Sequence, residues 1–148
     1  MQPRFLTAAI VIAAAIPAAA LAAHTSMSPV ESAKLTGKGE VPKGSSSGSG
    51  IVVLHLDAKK GTVCWVFEKV AKIDKPAAAH IHKGGAGQAG PVVVPLGTAY
   101  KVKGCAKAPS ATVAAIEEHP SRYYVNVHTA KYPSGAIRGQ LVVGMLKG

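Results

Sequence analysis

Three histidines in two segments are the residues of this chain best suited to chemistry. His80 and His82 are separated by one residue in the stretch AHIHKGGAG, and His128 lies in the stretch YYVNVHT. Residues i and i+2 of a strand point to the same face, so an extended backbone would place the first two imidazole rings side by side. Neutral imidazole is the commonest metal ligand in proteins, and three imidazoles suit copper or zinc better than calcium or magnesium. We therefore predict a transition-metal site, for copper or zinc, at His80, His82 and His128.

The same rings have a structural alternative, in which each hydrogen-bonds a backbone carbonyl and binds no metal. Asn126 and Tyr124 alternate with His128 along the chain, so we expect them to share its face and to orient the ligands from a second layer. His55 lies in an apolar run and is interpreted as structural, with a fourth-ligand role as its alternative. His24 is considered an accessory copper ligand only if the mature chain begins beside it. A haem-ligand role for one histidine is a further alternative.

The elements that hold these side chains are predicted to be short strands. Runs of β-branched residues separated by turn residues predict strands over 33–41, 51–57, 62–70, 77–82, 92–96, 100–105, 122–129 and 136–143. One helical stretch, 109–119, ends at Pro120. The pattern indicates an all-β fold, an antiparallel Greek-key β-sandwich or barrel with one short helix near 110–119.

Two of these segments have compositions that predict more detail. The stretch 62–70 has apolar residues at both odd and even positions, so we expect that strand to be covered on both faces. The loop 84–91 is rich in glycine, and we expect several of its glycines to adopt positive φ angles.

The N-terminus has the form of an export signal. Residues 1–22 combine one positive charge with an apolar run and end in the small-residue pattern Ala20-Leu21-Ala22. We predict cleavage after Ala22 and a single mature domain over 23–148, located in the periplasm or secreted. An uncleaved anchor is the alternative, although the apolar run is short for a membrane span.

The cysteine count and the charge limit the function classes. Two cysteines in an exported chain favour a disulfide between Cys64 and Cys105, with metal ligands or free thiols as the alternative. The formal net charge of +10 comes mostly from scattered lysines, which favours a solvated basic surface with some attraction to anionic envelope surfaces. Few arginines, one tryptophan and an export signal argue against nucleic-acid binding. Carboxylates are too scarce to indicate hydrolysis by paired acids.

Two long sequence blocks resemble a known domain. They are AHIHKGGAGQAGPVVVPLG over 79–97 and YYVNVHTAKYPSGAIRGQL over 123–141, and GEVP at 39–42 and VCW at 63–65 accompany them. Together they resemble the CHRD domain, which is named for chordin and is common in exported bacterial proteins. The resemblance covers nearly all of the mature chain and implies a β-sandwich. It leaves open a non-enzymatic role as a module that interacts with envelope or extracellular proteins.

A second resemblance concerns the order of the candidate ligands. A His-x-His pair, a glycine-rich loop, a late Val-His strand and a Gly-x-x-Arg segment are similar to copper/zinc superoxide dismutases. This implies copper at His80, His82 and His128, an anion-guiding Arg138, and a role in metal binding or redox defence. The chain departs from that pattern because no histidine lies within 84–97 to bridge two metals, so a zinc site of that kind is not expected. An ion pair is the alternative for the arginine, with Glu117, Glu118 or Asp74 as its partner.

Overall fold

The computed structural model of the protein describes residues 30–146, which form nine strands and one α-helix. The predicted signal segment, its cleavage site and His24 lie outside the described residues. The strands are β1 (Val30–Thr36), β2 (Ser49–Asp57), β3 (Thr62–Ala71), β4 (Pro76–Lys83), β5 (Val92–Pro95), β6 (Lys103–Lys107), β7 (Tyr123–Thr129), β8 (Ile137–Gln140) and β9 (Val142–Val143), and the helix is α1 (Ser110–Glu118). All strand pairs are antiparallel, which confirms the predicted all-β class and the single helix. Within residues 30–146, no helix is long and apolar enough to span a membrane.

The strands form one sheet that nearly closes into a barrel. Their order is β5-β4-β7-β8-β1-β2-β3-β6, and β9 pairs with β1. The segment 96–102 bridges the two ends of this order. Leu96 and Tyr100 donate backbone hydrogen bonds of 3.0 and 2.9 Å to carbonyls of β4, and Phe67 of β3 donates one of 2.7 Å to the carbonyl of Val102. The sheet therefore has one irregular seam, between β4 and β3.

The core fills the inside of this barrel. Strand residues alternate between the core and the outside, as expected for a period of two. The fully buried side chains include Leu35, Val52, Leu54, Leu56, Val63, Ile81, Val94, Val125, Val127 and Ile137. The helix α1 adds Val113 and Ile116 to the same cluster. Burying one large aliphatic side chain stabilises a fold by about 1.5–3 kcal/mol, so this inner layer supplies most of the stability that holds the outer face in place.

Two predicted strands differ from the structure at their ends. The strand predicted over 33–41 is wrong beyond Thr36, because the strand ends there and a 3₁₀ turn over Gly37–Gly39 follows. A Cβ at Gly37 would overlap the carbonyl of Ser45, so this turn lets two backbones approach closely. The strand predicted over 100–105 is displaced to Lys103–Lys107, because the preceding residues cross from one side of the seam to the other.

Two further expectations about strands are corrected. The stretch 136–143 divides into β8 and β9 at Leu141, whose side chain turns into the core and is fully buried. The β3 strand buries Val63, Trp65 and Phe67 on one face, but Val66 on the other face is 37% exposed. The expectation that this strand is covered on both faces is therefore wrong.

The predicted disulfide is confirmed. Cys64 of β3 and Cys105 of β6 are directly opposed in the sheet, with Cα atoms 4.0 Å apart, and their sulfur atoms are bonded. The bridge ties the last strand of the sheet to its neighbour.

Candidate metal centre

The outer face of β4 and β7 carries the three predicted ligands. Ala79 and Ile81 of β4 point into the core, so His80 and His82 point outward together. On β7 the alternation places His128 on the same outer face. The register pairs Ala78 with His128 and His80 with Asn126, so the histidines are near neighbours across the two strands.

The structure brings the three imidazole rings together. One ligand nitrogen from each of His80, His82 and His128 can be chosen so that all lie within 4.8 Å of one another. The ring of His80 is 5.7 Å from that of His82 and 4.8 Å from that of His128, measured between centroids. The Nδ1 atom of His80 lies 3.0 Å from the Nε2 atom of His128. Such a group can hold a single ion with small side-chain adjustments.

Hydrogen bonds to the backbone fix which nitrogens are free. The Nδ1 of His82 lies 2.8 Å from the carbonyl oxygen of Gly90, and the Nδ1 of His128 lies 2.9 Å from that of Pro133. A carbonyl oxygen only accepts, so both Nδ1 atoms carry the proton and each Nε2 atom presents a lone pair. The Nε2 of His128 therefore accepts a hydrogen bond from the Nδ1 of His80. A metal ion could bind the Nδ1 of His80 only if the proton of that ring moved to its Nε2 atom.

One of these lone pairs is buried without a partner. His82 is 8% exposed, and its Nε2 atom has no hydrogen-bond partner among residues 30–146. An unpaired buried acceptor is costly, and a hydrogen-bond donor or a metal ion at this atom would remove that cost.

Burial keeps the rings neutral. Loss of solvent, together with the nearby His128 and His82 rings, lowers the pKa of His80 to about 4. Burial also lowers the pKa of His82, although its bond to the Gly90 carbonyl acts in the opposite direction. At neutral pH these rings are therefore uncharged and can donate their lone pairs to a metal.

The glycine-rich loop 84–91 packs against this face and supplies the carbonyl that orients His82. Gly90 donates its N–H to the hydroxyl of Tyr124 at 3.1 Å, and Gln140 of β8 donates to the Gly84 carbonyl at 2.7 Å. A Cβ at Gly90 would overlap the carbonyl oxygen of Lys83. Within the loop only Gly87 has a positive φ, of 74°, so the expectation of several such glycines is wrong. Close backbone approach is the reason for glycine at position 90.

Tyr124 and Arg138 form a stack next to the histidines. β7 lies between β4 and β8, so the Tyr124 ring is flanked by His82 from one strand and by Arg138 from the other. The His82 and Tyr124 rings are stacked, with centroids 4.8 Å apart and planes 8° apart. The guanidinium carbon of Arg138 lies 3.3 Å from the Tyr124 centroid. Tyr124 therefore contacts both side chains, and its role in orienting a metal ligand stays a prediction.

Arg138 is buried and bound to the loop. It is 3% exposed, and it donates hydrogen bonds of 2.7 Å to the carbonyls of Gln88 and Gly85. The carboxylate whose charge acts on it is Glu40, and not the three carboxylates suggested as ion-pair partners. The anion-guiding role of Arg138 stays a prediction, and the contacts it makes here serve to hold the loop.

Glu40 is the residue of this region that sequence reasoning missed. It is 4% exposed and packs against Gly135, where a Cβ would overlap its carboxylate. Burial raises the pKa of Glu40 to about 7, and Arg138, a backbone N–H and the Asn126 amide act in the opposite direction. The sequence contained a signal, since Glu40 lies in the GEVP motif and Gly135 begins the Gly-x-x-Arg segment. Only the pairing of β1 with β8 shows that these motifs meet.

Asn126 lies between the histidines and this acidic group. It is 1% exposed and pairs with His80 on one side and with Arg138 on the other. It shares the outer face of β7 with His128, and its role in orienting the ligands stays a prediction. His55 is different, because it is exposed on β2 with two strands between it and β7, and the structure does not bring it to the cluster.

A comparison with known families connects these features. The sequence pattern of the CHRD domain matches residues 32–141, a span that contains every residue of the cluster. The chain belongs to the CHRD domain family. No curated protein and no solved structure matches the chain. The CHRD domain is an extracellular-type domain, and the disulfide fits an exported protein.

Proposed function

We propose that this CHRD protein binds a copper ion at His80, His82 and His128 and acts in metal binding or redox defence outside the cytoplasm. The observation that carries the proposal is the convergence of three imidazoles within 4.8 Å, one of them with a buried, unpartnered lone pair.

The donor set favours copper over other common ions. No carboxylate belongs to this group of ligands among residues 30–146, which disfavours magnesium and calcium. Nitrogen sites bind Cu²⁺ more tightly than Zn²⁺, and the order of ligands along the chain is similar to that of the copper site of copper/zinc dismutases. Three protein ligands leave a coordination position open for a small molecule. When bound, copper would supply one-electron chemistry, while Tyr124, Asn126 and the Gly90 carbonyl hold the rings.

Metal analysis of the protein purified from its native compartment tests the proposal. We expect near-stoichiometric copper in the natural protein, and a loss of copper affinity of more than about 100-fold in each of His80→Ala, His82→Ala and His128→Ala. His55→Ala is the matched control, because His55 lies on the same sheet away from the cluster. Equal copper content in the natural protein and His80→Ala would refute the proposal. An absorbance spectrum separates haem from copper through the Soret band.

A second function from another class has its own support. The bonds of His82 to Gly90 and of His128 to Pro133, with the His80–His128 contact, already tie β4, β7 and two loops together. On this evidence the histidines hold the scaffold of a non-enzymatic module that interacts with envelope or extracellular proteins. If this second function is correct, each of the three alanine variants should have a lower melting temperature than the natural protein, and metal binding should be at background level in all of them.

A further inference from the structure

The seam of the barrel contains a cavity that the metal centre does not use. The pairing of β3 with β6 ends at Val66, and one more backbone bond joins Phe67 to Val102. The chain before Val102 then bonds to β4 instead, so no strand within the described residues 30–146 lies beside the last residues of β3 on this side. The opening is about 390 Å³ in volume, and its apolar walls include Phe67, Val70, Ile73, Tyr100 and Val102. Small-molecule sites in proteins have volumes of about 300–1,000 Å³.

A β-bulge places a lysine at the rim of this cavity. The register of β3 against β2 shifts so that Lys69 and Val70 together oppose Gly50. Lys69 has a φ of 51°, a left-handed conformation that a side chain other than glycine rarely adopts. The bulge turns Val70 toward the inside and leaves Lys69 exposed at the opening. Bulges of this kind re-aim side chains and are frequent next to functional sites.

The charge at the rim is positive and uncompensated. Among residues 30–146, the one ion pair that involves a lysine joins Lys60 to Asp57, so the ammonium group of Lys69 has no carboxylate partner. Lys101 and Lys103 flank Val102 in sequence, and Glu68 and Asp74 are the acidic residues nearest in sequence to the cavity walls. The formal net charge of +10 adds a long-range attraction for anions.

We propose that the seam cavity binds a small amphipathic anion, a carboxylate with a short apolar chain. The chain would lie against the Phe67, Tyr100 and Val102 side chains, and the carboxylate would contact the ammonium group of Lys69. Apolar walls with one charged group are the usual composition of a site that recognises such a molecule. The proposal is independent of the metal centre, which lies on the outer face of β4 and β7.

Calorimetric titration of the purified protein with octanoate tests the proposal. We expect saturable binding of octanoate, binding of the neutral 1-octanol that is about two- to fivefold weaker, and no detectable binding of acetate. Lys69→Gln should reduce octanoate affinity about two- to fivefold and leave that of octanol unchanged, whereas Lys69→Arg should retain both. Val102→Asp should abolish both, and the fold should tolerate it because Val102 is 58% exposed.

Lys59→Gln is the matched control, because Lys59 is an exposed lysine in the turn at the other end of β3. It should leave octanoate binding unchanged. The proposal is overturned if octanoate shows no saturable binding at millimolar concentration. It is also overturned if octanol binds as tightly as octanoate. The same holds if Lys59→Gln and Lys69→Gln weaken octanoate binding equally, since binding would then depend only on the net charge of the protein.

Discussion

At the scale of single residues, the candidate metal centre depends on where two protons lie. The carbonyls of Gly90 and Pro133 hold the Nδ1 protons of His82 and His128, and this leaves the two Nε2 lone pairs facing the cluster. A loop carbonyl therefore has the orienting role that carboxylates often have at metal sites. A shift of the loop should consequently change the metal affinity as much as a change in the residues that contact the ligands.

Gly90→Ala tests this dependence. The new Cβ would overlap the Lys83 carbonyl, so the loop must move and take the acceptor of His82 with it. We expect copper affinity to fall about 10- to 100-fold, the usual effect of losing an orienting partner. Gly85→Ala is the control, because a Cβ there would meet only Gln88 at 3.4 Å, an ordinary contact. Equal affinities of the two variants in a competition titration would contradict the role given to the Gly90 carbonyl.

Arg138→Lys separates a loop-holding role from an anion-guiding one. Lysine keeps the charge but cannot reach two carbonyls in a planar fork or stack on Tyr124 in the same way. Because the lost hydrogen bonds involve a buried charged group, we expect the free energy of unfolding to fall by about 2 kcal/mol. Hydrogen exchange of 84–91 should accelerate as well. Arg122→Lys, an exposed position, should change neither quantity, and unchanged stability of Arg138→Lys would favour the anion-guiding role.

At the scale of the elements, the register of β4 and β7 forms the cluster. The spacing of His80 and His82 was readable from sequence because a strand has a period of two. Their meeting with His128 was a hypothesis, since it depends on which strands pair and in what register. The GEVP motif marked Glu40 as a residue of interest, but the sequence did not indicate where Glu40 or the loop carbonyls lie relative to the cluster. Both positions depend on how closely backbone segments pack, and this packing involves residues that are far apart in the chain.

The fold itself was more accessible than the site. Alternating apolar residues and turn composition were enough for the all-β class, for most strands and for the helix α1. The errors fall at Thr36, at 97–102 and at Leu141, where tertiary contacts interrupt a strand that local propensity would continue. The disulfide followed from the cysteine count, but its place across two adjacent strands followed only from the topology.

Removal of the disulfide tests how far the seam and the metal centre are coupled. The bridge joins residues 41 positions apart, for which the chain-entropy account gives roughly 3–4 kcal/mol. We expect the Cys64→Ala/Cys105→Ala double variant to lose about that much in urea denaturation. Its copper affinity should stay unchanged, because β4 and β7 pair with each other and not with β6. A large loss of copper affinity in the folded double variant would show that the cluster depends on closure of the seam.

At the scale of the whole molecule, stability should depend on pH through two buried acids. Glu31 of β1 is 1% exposed, and neither of its carboxyl oxygens has a hydrogen-bond partner among residues 30–146. Burial, together with the smaller effect of the Glu117 charge, raises the pKa of Glu31 to about 7. Glu40 has a pKa of about 7 for the same main reason. In the unfolded chain both carboxyls titrate near the ordinary value of about 4.5.

The sign of the effect follows from proton binding. Between about pH 4.5 and pH 7 these two carboxyls hold protons in the folded state that the unfolded state has released, so their contribution to the free energy of unfolding falls as pH rises through this window. His80 and His82 contribute with the opposite sign, because their pKa values are lowered in the folded state and the unfolded chain binds their protons first as pH falls. Below about pH 4.5 both carboxyls are protonated in the folded and the unfolded state, so they do not lower the free energy of unfolding. Above about pH 7 both are ionised in both states, and their lowering of the free energy of unfolding has reached its full size. Each group contributes on the order of 2–3 kcal/mol to the change.

Glu31→Gln should therefore remove about half of the contribution that the two acids make, so the free energy of unfolding of the variant should fall less, or rise more, with pH than that of the natural protein. Glutamine keeps the shape but never ionises, so the variant should be more stable than the natural protein at pH 8, by on the order of 2–3 kcal/mol, and nearly equal to it at pH 4. Urea denaturation at half-unit steps between pH 4 and pH 8 measures both slopes. Glu118→Gln is the control, because its side chain is 74% exposed, and it should leave the slope unchanged. Identical slopes for Glu31→Gln and the natural protein would mean that Glu31 finds a partner for its charge in the folded state.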